Sequence, residues 1–429
     1  MTPLLRRITG LLALVLTLAG SAYGQSATLS IREAYDLARR NYPLTRQLEL
    51  IARTANYTVE NAAKGRLPVF SVNGQATYQS AVTSFPFTIP VPGFKLPQYS
   101  RDQYRFYAEA DQVVYDGGVI RNQQEAAEAS KVVQQQGIEV QLYGLYERIN
   151  QLFFGALLAG EEIKENELLM ADLQNGVDRA RALLANGVAY RSSVEELQAQ
   201  LLEAQQAGLQ FRSVQTAFRE MLGDFIQRPL GDSVVLVKPE APAETSEITR
   251  PELLQFRYQR RVYDLQEQLL HTSLRPHISF FLQGGYGRPG LNVLSNAFSW
   301  YYLGGLRFNW NIGSLYTLKN QQHLLDINRQ SLDVQQETFL FDTRLALRQQ
   351  GAEVTQYRQL IDRDDSIIAL RESVKKAAYA QLENGVLSAH DYINEVNAED
   401  QARQNRITHE VQLLQSQYSY ENTSGMTKQ

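Results

Sequence analysis

The second half of this chain repeats the pattern of its first half, and that repetition limits the possible folds more than any other feature. A helical run opened by Pro43 ends just before Pro68, and a second run opened by Pro251 ends just before Pro276. The spacing is the same at both landmarks, since 251 - 43 and 276 - 68 both equal 208. A period this long indicates two halves of one fold, because solenoids repeat every 20–50 residues or so.

Later landmarks keep their order while their spacing drifts. The segment QVVYDGG at residues 112–118 corresponds to RFNWNIG at residues 307–313, where 313 - 118 equals 195. An Asn-Gly-Val triplet begins at residue 186 in one half and at residue 384 in the other, where 384 - 186 equals 198. This pattern is typical of an old tandem duplication, so we expect both halves to build the same set of elements.

Residues 1–24 predict a secretory signal peptide. Two arginines precede an apolar stretch, and Ala22-Tyr23-Gly24 matches a small-x-small cleavage site before Gln25. A transmembrane anchor is the alternative, but the apolar run is shorter than the roughly 20 residues that a spanning helix needs. No later segment is long and apolar enough for such a helix, so we expect any bilayer contact to be made by strands.

Composition argues against catalysis and against nucleic acid as a partner. The chain has no cysteine, so disulfides and lipid attachment to a cysteine are excluded. Its net charge of -4 offers no basic surface to nucleic acid. The five histidines are not spaced as a metal site or a catalytic triad, and no phosphate loop of the GxxxxGK type is present. We therefore expect a protein that is not an enzyme, with no cofactor and no metal.

Four segments alternate between apolar and polar residues, which predicts β-strands with one apolar and one polar face. They lie at about residues 69–80, 103–115, 277–287 and 300–311. Each is about 10 residues long with aromatic residues near its ends, as in transmembrane β-barrels. A soluble antiparallel sheet packed on a helix shows the same alternation and is the alternative. The aromatic ends and the Pro- and Gly-rich segments 80–101 and 288–299 favour the barrel.

Four strands are too few to close a membrane barrel, because the smallest such barrels have about eight. Closure therefore requires several copies of the chain. Two copies would supply about eight strands and three would supply about twelve, and the strand pattern alone leaves both open.

Two proline-free segments predict helices that are too long for an ordinary globular domain. Residues 118–185 could extend about 100 Å as one helix, and residues 313–383 repeat this pattern. In the first half, apolar residues recur at alternating spacings of three and four along both the outgoing and the returning helix. This spacing predicts coiled-coil packing between long, largely polar helices.

Each long helix is predicted to reverse at an Asn-Gly pair. These pairs, at residues 186–187 and 384–385, favour the left-handed conformation that ends a helix. Ser192, Ser193 and Asp391 are predicted to cap the returning helices. The turns by themselves do not indicate whether they bind anything.

Five motifs then make a resemblance specific. They are LSIREAYDLARRNYP (29–43), YDGG (115–118), NGVAYRSSVEELQAQ (from 186), RPEL (250–253) and NGVLSAHDYINEVNAE (from 384). In this order, and together with the duplication and the signal peptide, they resemble the TolC-like outer membrane efflux family over essentially the whole mature chain.

The resemblance implies a mainly α fold with β-strands, assembled as a homotrimer. Each chain would give four strands to a twelve-stranded transmembrane β-barrel, continued by a long α-helical coiled-coil tunnel in the periplasm. The implied function is the outer membrane channel of a tripartite efflux or type I secretion system in a Gram-negative bacterium. Such a channel conducts passively, and its partners are an inner-membrane transporter, a periplasmic adaptor protein and outer membrane lipid.

We divide the chain on this basis. The parts are a signal peptide (1–24), a first repeat (25–228) with its helical hairpin at 118–228, a linker (229–249), a second repeat (250–421) with its hairpin at 313–421, and a tail (422–429). We expect the Pro- and acid-rich linker to belong to an equatorial belt around the tunnel, with a mobile linker as the alternative. The polar tail is expected to be disordered.

The resemblance also implies that the periplasmic adaptor docks at the two hairpin turns. The docking candidates are Asn186, Gly187, Val188, Ala189, Asn384, Gly385, Val386 and Leu387. The first turn departs from the family pattern, because Ser193 stands where Asp391 stands in the second. We therefore expect one of the two adaptor grooves to bind differently from the other.

Asp362, Asp364 and Asp365 are candidate gate residues, because channels of this family close near the helical tips with acidic or polar rings. Threefold symmetry would multiply an inward-facing carboxylate into a ring, and such rings favour cations. An ordinary solvated helix face is the alternative and the more common reason for such a cluster.

Two other classes of protein remain as alternatives to a conduit. A non-conducting structural or adhesive coiled-coil envelope protein would not need four strands with aromatic-ended apolar faces. A periplasmic adaptor has one helical hairpin flanked by β-domains, whereas this chain predicts two hairpins. Whether the cargo is a drug, a metal ion, a siderophore or a polypeptide does not follow from the sequence.

Overall fold

A computed structural model describes residues 28–82, 100–243, 245, 247–293 and 295–426. The predicted signal peptide and most of the segment 80–101 lie outside this range. Among the described residues, no helix combines the length and the hydropathy that crossing a membrane would require.

Long α-helices dominate the described chain. They are α1 (Ile31–Asn41), α2 (Arg46–Lys64), α3 (Val119–Tyr143), α4 (Leu145–Ala185), α5 (Arg191–Ile226), α6 (Pro251–Ser273), α7 (Leu315–Glu383) and α8 (Ala389–Ser424). The first long helical segment, expected to continue from residue 118, is interrupted at Gly144, where glycine lowers helix propensity. Its counterpart α7 continues without a break for 69 residues.

Six strands accompany the helices in the described part of the chain. They are β1 (Thr28–Leu29), β2 (Val69–Tyr78), β3 (Asp102–Tyr115), β4 (Val235–Leu236), β5 (His277–Arg288) and β6 (Ser299–Asn309). The limits of the four long strands differ from the predicted ones by up to two residues.

The chain divides into two compact units that do not coincide with its two halves. The first unit, called the helical unit, contains the described residues within 1–45, 138–251 and 339–429, and the second, called the sheet unit, contains those within 46–137 and 252–338. Each unit therefore takes segments from both halves of the sequence.

The sheet unit contains one antiparallel sheet in the order β2-β3-β5-β6. The central pair, β3 with β5, joins the two halves of the sequence, and its register places Glu109 opposite Gln283. Strands β2 and β6 lie at the edges, and each pairs with one strand of this chain. As far as the described residues extend, the sheet is therefore open at both sides.

One face of this sheet is apolar and exposed. Phe70 and Val72 in β2 are 78% and 68% exposed, and Trp300, Tyr302 and Leu306 in β6 are 81%, 80% and 72% exposed. The alternating residues, among them Glu109 and Arg307, stand on the opposite face, as the period of two requires. An apolar face of this size needs a covering medium or partner.

The helices of the sheet unit follow the same order as its strands. Gln124 of α3 donates to the Val59 carbonyl of α2 over 3.5 Å, and Asn122 of α3 donates to Thr272 of α6 over 3.2 Å. The pairing of Arg329 in α7 with Glu267 in α6, at 2.6 Å, continues this order. The helices α2 and α7 thus lie at the two ends of the row, as β2 and β6 do in the sheet.

The helical unit holds most of the buried core. Its largest fully buried side chains include Ile149, Phe153 and Phe154 of α4. A short parallel pairing of β1 with β4 places Leu29 opposite Leu236, and Leu29 is fully buried. These contacts fix the start of the described chain against the segment that follows the first hairpin.

The described part of the linker 229–249 is anchored at several points. The Val237 N–H donates to the Leu29 carbonyl at 3.0 Å, and Lys238 pairs with Glu410 of α8 at 2.6 Å. At the other end, the Thr249 N–H donates to the Ser424 carbonyl at 2.7 Å. These contacts give no support to the alternative of a mobile linker.

The expectation of a disordered tail from residue 422 is wrong for residues 422–426. Helix α8 continues to Ser424, which is fully buried, and Asn422 is 7% exposed. The Tyr143 hydroxyl donates to the Asn422 carbonyl at 2.7 Å and accepts from the Met426 N–H at 3.0 Å. The polar end is ordered because a distant part of the chain satisfies its backbone groups.

Candidate functional site

The two predicted hairpin turns have the same backbone geometry. In the first tip (residues 186–189), the Gly187 N–H donates to the Leu184 carbonyl at 3.0 Å, and the Val188 N–H donates to the Leu183 carbonyl at 2.9 Å. Gly187 has φ +73°, the left-handed conformation that this helix ending requires.

The second tip (residues 384–387) repeats these bonds. The Gly385 N–H donates to Leu382 at 3.1 Å, the Val386 N–H donates to Gln381 at 2.9 Å, and Gly385 has φ +70°. The side chain of the asparagine before each glycine closes the helix end further: Asn384 Nδ2 donates to the Ala380 carbonyl at 2.7 Å. Both tips are therefore closed, well-defined turns.

Each tip presents an apolar side chain outward. Val188 is 61% exposed and Val386 is 76% exposed. The two tips are neighbours, since Val188 Cγ1 lies 3.8 Å from the position that a Cβ on Gly385 would occupy. Tyr190, which is not among the predicted docking residues, is 81% exposed next to the first tip. An aromatic residue directly after the turn was the only sequence signal for it.

The returning helices begin differently. Helix α8 has Ser388 as its N-cap, whose Oγ accepts the Asp391 N–H at 3.2 Å and lies 2.6 Å from an Asp391 carboxylate oxygen. Helix α5 has Tyr190 at its N-cap position, with no side-chain bond to the helix. The prediction that Ser192, Ser193 and Asp391 cap the returning helices is wrong, because each lies inside the first turn of its helix.

A shared apolar core holds the four tip helices together. Its buried members come from α4, α5, α7 and α8, namely Leu173, Val177, Ala180, Val194, Leu197, Ala204, Ala378, Leu382, Ala389, Tyr392, Ile393 and Val396. The tips are thus the exposed end of a packed four-helix arrangement, which gives a rigid base for a docking surface.

The three candidate gate carboxylates do not share one environment. Asp364 is buried, and its Oδ2 lies 2.6 Å from Nδ1 of His409 in α8. Asp365 accepts from Arg406 Nε at 2.6 Å, whereas Asp362 is exposed. The structure therefore brings two of the three against the neighbouring helix, and a gate role stays a prediction for all of them.

A charge cluster around the buried Glu399, between the two hairpins, was not predicted. Glu399 of α8 is 2% exposed and pairs with both Lys375 of α7 and Arg403. Lys375 also reaches Asp172 of α4 at 2.9 Å, and Arg403 lies 3.7 Å from Glu165 of α4. Only the Glu399–Arg403 spacing of four residues was visible in the sequence. The other pairs depend on how the helices assemble.

Asp400 sits beside this cluster in an unfavourable position for a negative charge. Burial, followed by the neighbouring carboxylates of Glu165 and Glu399, raises the pKa of Asp400 to about 6. One of its oxygens, Oδ1, is buried without a hydrogen bond, while Oδ2 accepts from Gln404 at 2.7 Å. The ionised form therefore opposes the packing of the two hairpins.

The described residues offer little for chemistry on a bound molecule. Within them, no group of three or more His, Asp or Glu side chains is placed to hold a metal ion. A cavity of about 250 Å³ lies beside the charge cluster and is lined by Asp172, Lys375, Glu399, Asp400 and Arg403 among others. These groups mostly neutralise one another, so the tips are the better candidate for function.

No protein-family model and no curated protein matches this sequence. Solved structures do match it. CusC, a protein described as forming a transmembrane channel, superposes with a TM-score of 0.67 at 13% identity over 92% of each chain. VceC, an outer membrane protein of Vibrio cholerae, has a TM-score of 0.64 at 11% identity over 92% of this chain and 96% of its own.

The MtrE outer membrane channel of Neisseria gonorrhoeae, solved in an open state, also matches. Its TM-score is 0.61 at 14% identity, over 92% of this chain and 89% of its own. The chain has the fold of outer membrane channels. Because the identities are only 11–14%, the likeness shows the fold alone. It confirms the TolC-like resemblance drawn from the motifs as a resemblance in fold.

We predict opposite effects for two glycine substitutions in α7 and its turn. Gly385→Ala forces a Cβ into the left-handed conformation and should lower the free energy of unfolding by about 1–2 kcal/mol. Gly351→Ala, inside the same helix and with only the Tyr420 ring at an ordinary contact distance of 3.8 Å from the new Cβ, should raise it by about 0.5–1 kcal/mol. Thermal unfolding followed by circular dichroism measures both, and equal shifts in one direction would contradict the turn geometry.

We predict that Asp400→Asn stabilises the protein at neutral pH. Because the pKa of Asp400 is raised on folding, the wild type should gain stability as the pH falls from about 7.5 through 6 towards 4. The substitution should add about 1 kcal/mol at pH 7.5, after allowance for solvent screening, and should flatten this pH dependence.

The same unfolding series, recorded between pH 5 and pH 8, tests this prediction. The matched control is Asp362→Asn, which removes an exposed carboxylate from α7 and should leave the free energy of unfolding at pH 7.5 nearly unchanged. Equal pH profiles for wild type and Asp400→Asn would show that Asp400 is not strained by its surroundings.

Proposed function

We propose that three copies of this chain form a channel in the outer membrane, through which substrates pass outward without energy input from the channel itself. The observation that carries this proposal is the open four-stranded sheet with an exposed apolar face, in a chain that has the fold of outer membrane channels. An inner-membrane transporter would drive export, and a periplasmic adaptor would connect it to the channel.

The apolar sheet face supports contact with lipid. Phe70, Trp300 and Leu306 are each more than 70% exposed on it, which in water would be a large unfavourable surface. Hydrocarbon covers such a face without the free-energy cost of exposing it to water. The polar face with Glu109 and Arg307 then turns towards water in a lumen. The strands have the length that a tilted membrane strand needs, at 10 to 14 residues.

The open edges support assembly from several copies. In lipid, the unpaired N–H and C=O groups of β2 and β6 need partners, and a closed ring of strands supplies them. Pairing β6 of one copy with the partner subunit's β2 joins unlike edges, and such a contact can close into a ring. We propose three copies, hence about twelve strands, on the strength of the family resemblance.

The helices at the same edges support the same contact. On α2, Leu50 and Tyr57 are 58% and 66% exposed, and on α7, Leu324, Ile327 and Val334 are 58% to 60% exposed. The last three follow the spacing of a coiled-coil seam. Contact between α7 of one copy and the partner subunit's α2 would bury both sets together with the strand edges.

The tips are the proposed docking surface for the adaptor. They combine rigid backbone turns with outward Val188 and Val386, and Tyr190 adds an aromatic side chain of the kind enriched at interfaces. The uncapped start of α5 and the capped start of α8 give the two tips different polar surroundings. This supports the proposal that the two adaptor grooves bind differently.

We expect channels from the detergent-extracted protein in planar bilayers. A trimeric mass by light scattering, together with discrete and stable conductance steps, is the result that the proposal requires. A monomer that stays soluble without detergent and gives no conductance would instead favour the structural coiled-coil envelope protein.

We also expect disulfide cross-links between unlike strand edges. The chain has no cysteine, so Val72→Cys in β2 combined with Tyr302→Cys or Leu306→Cys in β6 introduces the only thiols. Oxidation of the double variants should give covalent dimers and trimers, whereas each single variant should remain monomeric on a denaturing gel. Efficient dimers from a single variant would indicate like edges in contact and would rule out the proposed ring.

A further inference from the structure

The polar face of the sheet carries a charge network that spans three strands. Arg307 of β6 reaches across β5 to two carboxylates of β3. Its guanidinium nitrogens lie 2.9 Å from a Glu109 oxygen and 2.8 Å from an Asp111 oxygen. The two carboxylates are separated by one residue, so both stand on the same face of the strand.

Two residues, one in β5 and one in β6, accommodate the Arg307 side chain where it crosses β5. The Arg307 guanidinium lies over the Phe281 ring, with Cζ 4.7 Å from the ring centre. Gly305 leaves space for that ring, since a Cβ there would stand 3.2 Å from Phe281 Cε1. A larger residue at position 305 would displace the ring and with it the support of the arginine.

Two further polar groups of β5 complete the network. Gln283 Nε2 donates to the second Glu109 oxygen at 2.6 Å, and Ser279 Oγ donates to Asp111 at 3.2 Å. The Glu109 and Asp111 side chains are 13% and 26% exposed, while Arg307 is 47% exposed. One guanidinium thus covers two carboxylates that would otherwise face the polar side of the sheet.

We propose that Arg307 determines the ion selectivity of the channel by masking Glu109 and Asp111 in its lumen. This inference rests on the proposed function, because it needs the polar face to line a water-filled pore. Each copy then adds two carboxylates and one guanidinium to the same level of the lumen. With the arginine in place, the excess of negative charge at this level is half of what it would be without it.

The range of this effect depends on salt. Rings of carboxylates favour cations, but charges in a wide pore act on passing ions only within the Debye length. That length is about 30 Å at 0.01 M salt and about 3 Å at 1 M. The selectivity conferred by the network is therefore expressed at low salt and disappears at high salt.

The test is the reversal potential of reconstituted channels in a potassium chloride gradient. Arg307→Gln should raise the ratio of potassium to chloride permeability on the order of twofold to fivefold near 0.01 M salt, with little change near 1 M. Arg307→Lys, which keeps the charge but loses the two-pronged contact, should stay close to the wild type.

A second variant moves the selectivity the other way. Glu109→Gln combined with Asp111→Asn leaves Arg307 unopposed and should shift the preference towards chloride by a similar factor. Structural damage alone would not move the two variants in opposite directions. This variant also tests the proposal if Arg307→Gln fails to assemble.

The outcomes separate the two proposals. Wild-type protein without any conductance would overturn the proposed function. Stable channels whose permeability ratios are the same in wild type, Arg307→Gln and the double variant at low salt would overturn the inference about Arg307 and leave the channel in place.

Discussion

The rest of this structure depends on the unpaired hydrogen-bonding groups at the two edges of one sheet. Among the described strands, β2 and β6 each have a side without a partner, and the sheet between them carries an apolar face that water does not favour. The helix order α2, α3, α6, α7 repeats the strand order, so the helical surfaces that need partners lie at the same ends. A single kind of contact between copies can satisfy the strands and cover the helices together.

The two units use charged groups for different purposes. In the helical unit, Glu399 is buried between Lys375 and Arg403. These two cations also pair with Asp172 and Glu165 of α4, so ion pairs tie one hairpin to the other. Removing one member of such a cluster leaves an uncompensated buried charge, which is why these contacts favour one arrangement of the helices. In the sheet unit, Arg307 and its carboxylates remain partly exposed to water, and under the proposed function their charge acts on ions that pass through the lumen.

The elements that depend on neighbouring residues were predictable from the sequence. Alternation of period two indicated the strands, and the Asn-Gly pairs indicated where α4 and α7 end. Contacts between distant residues were not predictable, because no local pattern encodes them. Asp364 resembled a solvated carboxylate but lies against His409, 45 positions away. The segment from Asn422 resembled a disordered tail but is held by Tyr143, 279 positions away. Tyr190 showed no sign that it would replace a capping serine.

The division of the chain into units made from both halves has a consequence for how the protein is made. Strand β3 pairs with β5 across 174 positions at Glu109 and Gln283, so the sheet cannot form until most of the chain is available. Contacts of such high sequence separation form slowly, and β2 and β3 expose apolar surface until β5 and β6 have been synthesised. A newly made chain of this kind therefore depends on protection from aggregation until its second half is available to complete the sheet.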